Sequence, residues 1–518
     1  MALTIKESGS AKEWVFIALC VVYLFTLGIR IYWIAQKTSF HIDEAFSVQL
    51  ACYNPWWMYE SNRMYTGEEA KDISLTCHHN VWTDVYYLWQ SSNDTPHTNL
   101  YYSLLRFSLI GLDTGDIKQI IFRGGTLNLL FFTISFVFFF RLVRLLFPES
   151  PLLQTTATLC AFLSTSTISN TLFLRPYQMQ EALFVIFCYY FFKTFDTRRD
   201  VVYNGTLYIN AKLMMSLALV TVFTLLTGYF ALFFIGPFIL YAIYHRNKAR
   251  DGAGILFYMA VLCLAIVFSQ TFYLKYLYGY LSPRTTDAAA ALFGSAVENI
   301  KSSFISIGNS LLNHFFTYPV IAICVLCFLF LIIWRKRKFF EQKHALYIFI
   351  VSLAYTIIVM ILAPDDLKMF RYIMPVFPLF ILLPATMLYS IGSRKFSYIA
   401  ILLFCVFFLR DALNKDRIEN LFSGKLDTYF FAQDPSVPVL VLAQNAWKNA
   451  DLVPYFNNDQ IYYFNTSDGV NLSKSEELYL VIERIPELET MSLPHFDIEQ
   501  EASSEFFTVK KLHLKKQE

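Results

Sequence analysis

Residues 40–50 read FHIDEAFSVQL, and they follow Trp14–Ala35, an apolar stretch long enough to cross a membrane. His41, Asp43 and Glu44 therefore stand where a hydrocarbon core ends and water begins. Charges gather at such borders for solvation alone. Acids also start a helix well, because its N-terminus favours negative charge. An adjacent acid pair at a membrane surface is equally what a catalytic site at that surface needs, so the rest of the chain has to decide between the readings.

The composition points to lipid as the solvent. Of 518 residues 56% are hydrophobic, 18% aromatic and only 16% charged, with 52 Phe and a mean hydropathy of +0.43. A formal net charge of +2 leaves no electrostatic footprint for a nucleic acid, and no such partner is expected. Trp14–Ala35 is too long for a signal-peptide core and lacks a small-residue cleavage site, which makes it a retained first helix. Cys324 and Cys327 form a CxxC inside an apolar run with no second ligand pair, so zinc is not expected there.

Long apolar runs predict an α-helical polytopic membrane protein with about eleven crossings, in a range of roughly ten to thirteen. The runs are Trp14–Ala35, Ile117–Phe147, Leu152–Leu174, Tyr177–Phe195, Leu213–Thr227, Phe230–Tyr244, Ile255–Leu277, Phe315–Trp334, Ala345–Leu362, Met369–Leu388 and Phe396–Leu409. With the N-terminus in the cytoplasm, the basic connections all fall on the inner side. These are Arg141 and Arg144; Lys193, Arg198 and Arg199; Arg246, Lys248 and Arg250; Arg335 to Lys338; and Arg394 with Lys395. This layout predicts a plasma (inner) membrane protein whose acid-bearing loop and tail are extracytoplasmic.

The expected domains are residues 1–410, a transmembrane domain with a catalytic first outer loop at 37–116, and residues 411–518, a small extracytoplasmic α/β domain. In the tail, Val437–Leu442, Gln460–Phe464, Leu478–Ile482 and Phe506–Val509 are too short to span and read as strands, with Trp447–Phe456 helix-like. Asn99–Leu112 is too short to cross and is interrupted by Arg106; its Tyr101, Tyr102, Leu104, Leu105 and Phe107 suit a helix lying at the outer interface.

Four outer elements then share one side. They carry His41, Asp43 and Glu44; Asp94 and His97; Arg175 and Tyr177; and Asp365, Asp366, Lys368, Arg371 and Tyr372. Carboxylates take a proton from a hydroxyl or hold a divalent metal, and Arg binds two phosphate oxygens at once. Acids with phosphate-binding cations at a lipid surface suit chemistry on a lipid-linked phosphate. Each also has a plainer reading: a solvated helix start, snorkelling interfacial arginines, an exposed loop histidine. Glu181, one turn into the fourth run, is harder to explain away, since a carboxylate facing lipid costs about 2–3 kcal/mol.

In order and context, the motifs resemble the integral-membrane glycosyltransferases of the GT-C type, which use polyprenyl-phosphate sugar donors. The likeness is to the branch of protein O-mannosyltransferases and aminoarabinose transferases. It rests on Asp43-Glu44 in HIDEAF after the first span, HTNLYYSLLRF from His97 to Phe107, Arg123 in FRGGTLN, LRPYQMQEAL around Arg175 and Tyr177, and RYIMPVFP from Arg371. It covers roughly residues 14 to 410; where relatives have Pro-Pro in the interfacial motif, this chain has Thr98-Asn99.

The resemblance implies a hexosyl or pentosyl transferase. It would move a sugar from a polyprenyl-phosphate carrier to an acceptor hydroxyl on a lipid, glycan or protein, at the outer face and with inversion. Asp43 would act as general base, with Glu44 about 100° round a helix from it. His97, Arg371, Arg175 and Lys368 would hold the donor phosphate around the same cavity as Asp43. His41, Asp94, Tyr102, Arg123, Tyr177 and Tyr372 are secondary candidates. No cofactor is fixed; a divalent metal on Asp43 or Glu44 stays open. Cys52 and Cys77, the cysteines of the first outer loop, could pair in an oxidising compartment or remain unrelated thiols. The competing class is a transporter or flippase of cell-envelope glycolipids, which would spread charges through the membrane. Here the mid-span regions read as nearly free of them.

Overall fold

The computed structural model describes residues 9–54, 59–60, 63–91, 99–112, 116–201, 211–228, 230–248, 251–272, 296–314, 317–334, 342–362, 370–391, 394–421, 425–464, 476–489 and 496–515. Its chain divides into two compact units. The first comprises Met1–Tyr32, Ser91–Tyr101 and Asn128–Glu419, and the second Trp33–Gln90, Tyr102–Leu127 and Asn420–Glu518.

The first unit is helical. Its elements include most of α1 (Gly9–Gln36) and α6 (Ile117–Leu146), the first of which ends and the second of which begins in the other unit. Between these in sequence lie α2 to α5, given below. After α6 come α7 (Pro151–Leu163), α8 (Thr165–Leu172), α9 (Tyr177–Val201), α10 (Ala211–Leu225), α11 (Ala231–Lys248) and α12 (Gly252–Phe272). Helices Ala296–His314, Tyr318–Trp334, Lys343–Leu362, Leu382–Ile391 and Arg394–Leu413 complete the unit.

The chain is a multi-pass membrane protein. Among the described residues five helices are long and apolar enough to cross by themselves, or six with the bent pair Lys301–Asn313 and Tyr318–Leu329 counted as one span. Each of the eleven apolar runs coincides with helix over most of its described length, but several are too short or broken to meet that test alone. Leu152–Leu174, expected as one span, breaks at Ser164 between α7 and α8. The reason is local: α8 reads TSTISNTL, whose hydroxyls and amide turn to partners inside the protein. Met369–Leu388 carries 3-10 turns at Phe370–Tyr372 and Met374–Val376 around Pro375, and from Met374 to Ile391 it is one of the five that pass. Aromatic packing fills the unit, as where Phe184 stacks on Phe234 at 4.0 Å and Phe191 meets Phe238 at 5.2 Å.

In the second unit, α2 (Ile42–Ala51) is followed by β1 (Met64–Thr66), α3 (Gly67–Leu75), α4 (Val81–Ser91, all but its last residue) and α5 (Asn99–Ser108, from Tyr102 on). The tail supplies β2 (Val439–Leu442), β3 (Ile461–Phe464), β4 (Glu477–Glu483), β5 (Phe496–Ser503) and β6 (Phe507–Leu514). Together they form one six-stranded mixed sheet in the order β1-β3-β2-β4-β6-β5. Its centre is parallel, β3-β2-β4, and its flanks antiparallel. Leu440, Leu442, Leu478, Leu480, Ile482 and Leu512 make its apolar core.

The four strand-like runs of the tail are four of these strands. Trp447–Phe456 forms 3-10 turns at Ala446–Asp451 and Val453–Tyr455 rather than a helix, with Pro454 in the second. β1 is the larger departure from expectation. A segment of the first loop pairs with the tail, Met64 opposite Tyr463 and Thr66 opposite Ile461. Cys52 and Cys77 are disulfide-bonded within the same loop, with Cα atoms 4.5 Å apart.

Candidate functional site

The stretch FHIDEAF folds as the start of α2 because its own residues cap it. Nδ1 of His41 accepts the Asp43 N–H at 3.1 Å, and Glu44 Oε2 accepts the His41 N–H at 2.9 Å, a reciprocal capping box. Glu44 does more than cap. Lys37 Nζ donates to its two oxygens at 2.8 and 2.9 Å and to the Asn420 carbonyl at 2.6 Å, and both side chains are buried. A buried ion pair holds only while both partners are present. Asp43, next along, is partly exposed, and its Oδ2 lies 3.4 Å from His41 Nδ1. That nitrogen already accepts the Asp43 N–H, so in the neutral ring its proton is on Nε2. Of the two adjacent acids, Glu44 is bound fully into the fold, and Asp43 is the one that keeps a partly exposed side chain.

Tyr455 of the tail fixes the residue before the cap. Its hydroxyl donates to the Phe40 carbonyl and accepts the Phe40 N–H, each at 3.0 Å. Burial, reinforced by Asp451, pushes the Tyr455 phenol above its ordinary range, so the proton that makes the first bond stays in place. Beneath α2, Ile42, Ala45, Phe46 and Ala450 form one apolar cluster with Phe506 packed against it.

The cationic candidates fall in the first unit. Arg175 lies buried in the turn between α8 and α9, its N–H bonded to the Phe173 carbonyl at 2.7 Å. Asn128 Nδ2 holds that turn by donating to the Thr171 and Phe173 carbonyls, and Tyr101 donates to Asn128 Oδ1. The turn meets the Phe370–Tyr372 segment directly. The Arg371 guanidinium sits 6.0 Å over the Phe173 ring, and the Tyr177 and Tyr372 rings meet edge-to-face at 6.0 Å. Two sequence stretches nearly two hundred residues apart, both expected to bind phosphate, are therefore neighbours.

His97, Asp94, Asp365, Asp366 and Lys368 lie outside the described residues. Tyr102 is buried. Arg123 donates to the Ile110 carbonyl at 3.1 Å, at the end of α5, and so closes that helix. Arg106, read as an interruption, pairs with buried Asp84 at 2.7 Å and donates to the His79 carbonyl at 2.8 Å, while His79 Nδ1 lies 3.2 Å from the same acid. Asp43 and Glu44 belong to the second unit, Arg175 and Arg371 to the first.

The mid-span regions are less empty of charge than the sequence reading held. Arg30, fully buried in α1, donates to Thr171 Oγ1, Thr167 Oγ1 and the Phe162 and Thr26 carbonyls. Thr171 passes the network to Gln178, and Gln178 to Glu181, which also accepts from Ser135 and Asn170. The signal for it was present in Arg30 and in the hydroxyl-rich TSTISNTL, which together mark a buried polar seam.

Among the described residues no three His, Cys, Asp or Glu gather as a ligand set, and both Glu44 oxygens are taken by Lys37 and the His41 N–H.

No family model and no curated protein matches the chain. Among solved structures it is similar to the archaeal oligosaccharyltransferase AglB from Archaeoglobus fulgidus, in complex with an inhibitory peptide and a dolichol-phosphate. The TM-score is 0.50 at 11% identity, over 92% of this chain and 70% of that one. ArnT from Cupriavidus metallidurans bound to undecaprenyl phosphate matches with a TM-score of 0.48 at 10% identity, over 97% of this chain and 98% of that one. The likeness to AglB is one of fold.

Proposed function

We propose that the protein is a membrane glycosyltransferase that moves a sugar from a polyprenyl-phosphate carrier to an acceptor hydroxyl. The observation that carries the reading is the meeting of the Arg175 turn with Arg371. Two guanidinium-bearing segments converge in a unit built of apolar helices, as a phosphate on a lipid tail requires. The fold it shares with AglB, whose structure holds a dolichol-phosphate, agrees with it.

In this mechanism Asp43 takes the proton from the acceptor hydroxyl as its oxygen attacks the anomeric carbon. The carbon–phosphate oxygen bond breaks in the same step, which inverts the anomeric centre. Arg371 and Arg175, with His97 and Lys368, stabilise the charge growing on the leaving lipid phosphate. Glu44 acts through the fold of α2. We place the chemistry at the outer face, with the N-terminus cytoplasmic and about eleven crossings. The Cys52–Cys77 bond supports an oxidising compartment for that loop.

The Arg30–Glu181 network lends some weight to a transporter or flippase, because charges inside a bundle often mark a path. It is closed on itself by hydrogen bonds, however, which suits scaffolding better than passage. The test is incubation of the purified protein with a panel of polyprenyl-phosphate sugars, scored by release of the lipid phosphate. Release that is lost in Asp43→Asn upholds the reading; no release from any donor by folded protein sinks it.

A further inference from the structure

The sequence reads as a small α/β domain from residue 411 onward, after the last span. Within the second unit this tail grips the peptide from which Asp43 projects. Tyr455 holds both backbone groups of Phe40, three residues before Asp43. Lys37, on the near side of the same peptide, ties the Asn420 carbonyl to Glu44. Ala450 and Phe506 pack under Ile42, Ala45 and Phe46, with the Trp447 ring 6.2 Å from Phe46. Grips before, across and beneath the first turn leave α2 little freedom to tilt or unwind.

We propose that Tyr455 is a positioning residue for the reaction. Its hydroxyl, with the Lys37–Asn420 tie, sets where the start of α2 lies and hence where Asp43 holds its carboxylate. The catalytic part of this inference rests on the transferase reading above; the grip on α2 does not. A group that takes a proton in the transition state must lie within hydrogen-bond reach of it, so small displacements of Asp43 reduce turnover without weakening donor binding elsewhere.

The structure also explains why a phenol suits this post. One hydroxyl serves as donor to Phe40 O and acceptor from Phe40 N at once, which neither a carboxylate nor an ammonium can do. The ring is held in turn by Tyr429, whose ring centroid is 5.2 Å away and whose hydroxyl bonds Asp451 and Ser504. The phenol thus stands on a supported base.

The test uses the full-length protein with Tyr455→Phe, which keeps the ring and removes only the hydroxyl. Amide hydrogen exchange across residues 40–45 is followed beside exchange of β4 and β6. Steady-state transfer is measured with a polyprenyl-phosphate sugar that the wild type accepts. The expected result is exchange of residues 40–45 faster by about ten- to a hundredfold, from a buried amide and carbonyl left without partners, while β4 and β6 keep their protection. With it, kcat falls about tenfold or more and the donor KM stays unchanged.

Unchanged exchange at residues 40–45 overturns the proposal. So does faster exchange with an unchanged kcat, or a fall in kcat that comes with lost protection in β4 and β6, which would mean general unfolding. If the wild type itself turns over no donor, the transferase reading fails, and the exchange result alone then upholds or overturns the grip on α2.

Discussion

Tyr177 and Tyr372 meet edge-to-face, ring centroids 6.0 Å apart and planes at 89°, and this contact locks the Arg175 turn to the segment carrying Arg371. Tyr355 supports it by donating to the Tyr372 carbonyl at 3.2 Å. If the two arginines hold the donor phosphate, Arg371→Lys replaces a planar fork by a point charge. The donor KM should then rise about tenfold with kcat less affected. Arg371→Ala with an unchanged donor KM would make Arg371 an interfacial anchor only.

The two acids of HIDEAF should separate cleanly on mutation. Asp43→Asn, a swap at a partly exposed position, should leave the melting temperature nearly unchanged and lower turnover by about a hundredfold or more. Glu44→Gln should do the reverse in kind. It leaves Lys37 buried without its counter-charge, which costs about 3 kcal/mol and appears as a lower melting temperature before any kinetic measurement. Turnover by Asp43→Asn at the normal rate removes Asp43 from the mechanism.

How much of this was legible in the sequence follows the physics of each signal. The apolar runs and the β2, β3, β4 and β6 strands announce themselves because burial sets a period or a length. β5 reads FDIEQEAS, polar and largely exposed at the sheet edge, and gives almost no apolar signal. β1 is three residues whose partner lies almost four hundred residues away, a pairing that no local pattern encodes. The adjacent acids are visible as a pair, but their different settings depend on Lys37, which meets both Glu44 and the Asn420 carbonyl only in the folded chain. Arg30 was hidden by its setting, since one charge in an apolar run passes for a flank until its hydroxyl partners are seen.

The tail should lose stability on the acid side of neutrality. Burial alone would raise the Glu483 pKa, but the bonds from Lys448 and Asn445 outweigh it and hold the carboxyl below its ordinary value. For a depressed carboxyl the stabilisation is present above the unfolded pKa, about 4.3, and is lost as pH falls through the folded one. Protection of β4 against hydrogen exchange should therefore weaken below that range in the wild type. Glu483→Gln should flatten the dependence; a wild-type profile that is already flat would count against the coupling.

Glu181 tests the buried network. It accepts from Ser135, Asn170 and Gln178, and Asn170 also reaches the Tyr177 carbonyl at 3.3 Å, so the acid is tied to the Arg175 turn. Glu181→Leu removes the acceptor for all these donors and should cost about 3–5 kcal/mol, seen as a sharply lower melting temperature in detergent. Glu181→Gln keeps an acceptor oxygen and should be milder. Equal, negligible effects of both would show that the network carries no structural load.

Gly67 tests whether the first loop and the tail fold as one sheet. It sits where β1 passes into α3, its N–H bonded to the Gln460 carbonyl at 2.9 Å, and a Cβ placed there would lie 1.9 Å from the Asn457 carbonyl oxygen. Backbone on the far side cannot swing away as a side chain would, so Gly67→Ala must push β1 and the loop before β3 apart. Overpacking of this kind costs about 1–3 kcal/mol. The loss should be local: Tyr65 and its partner Tyr462 lose protection against hydrogen exchange, while β4 and β6 at the other side of the sheet keep theirs. The Cys52–Cys77 bond closes the loop that contains this strand and should persist, so a thiol count unchanged from wild type separates a displaced edge strand from a misfolded loop. Protection at Tyr65 and Tyr462 equal to wild type would mean that β1 is not held against the tail in solution.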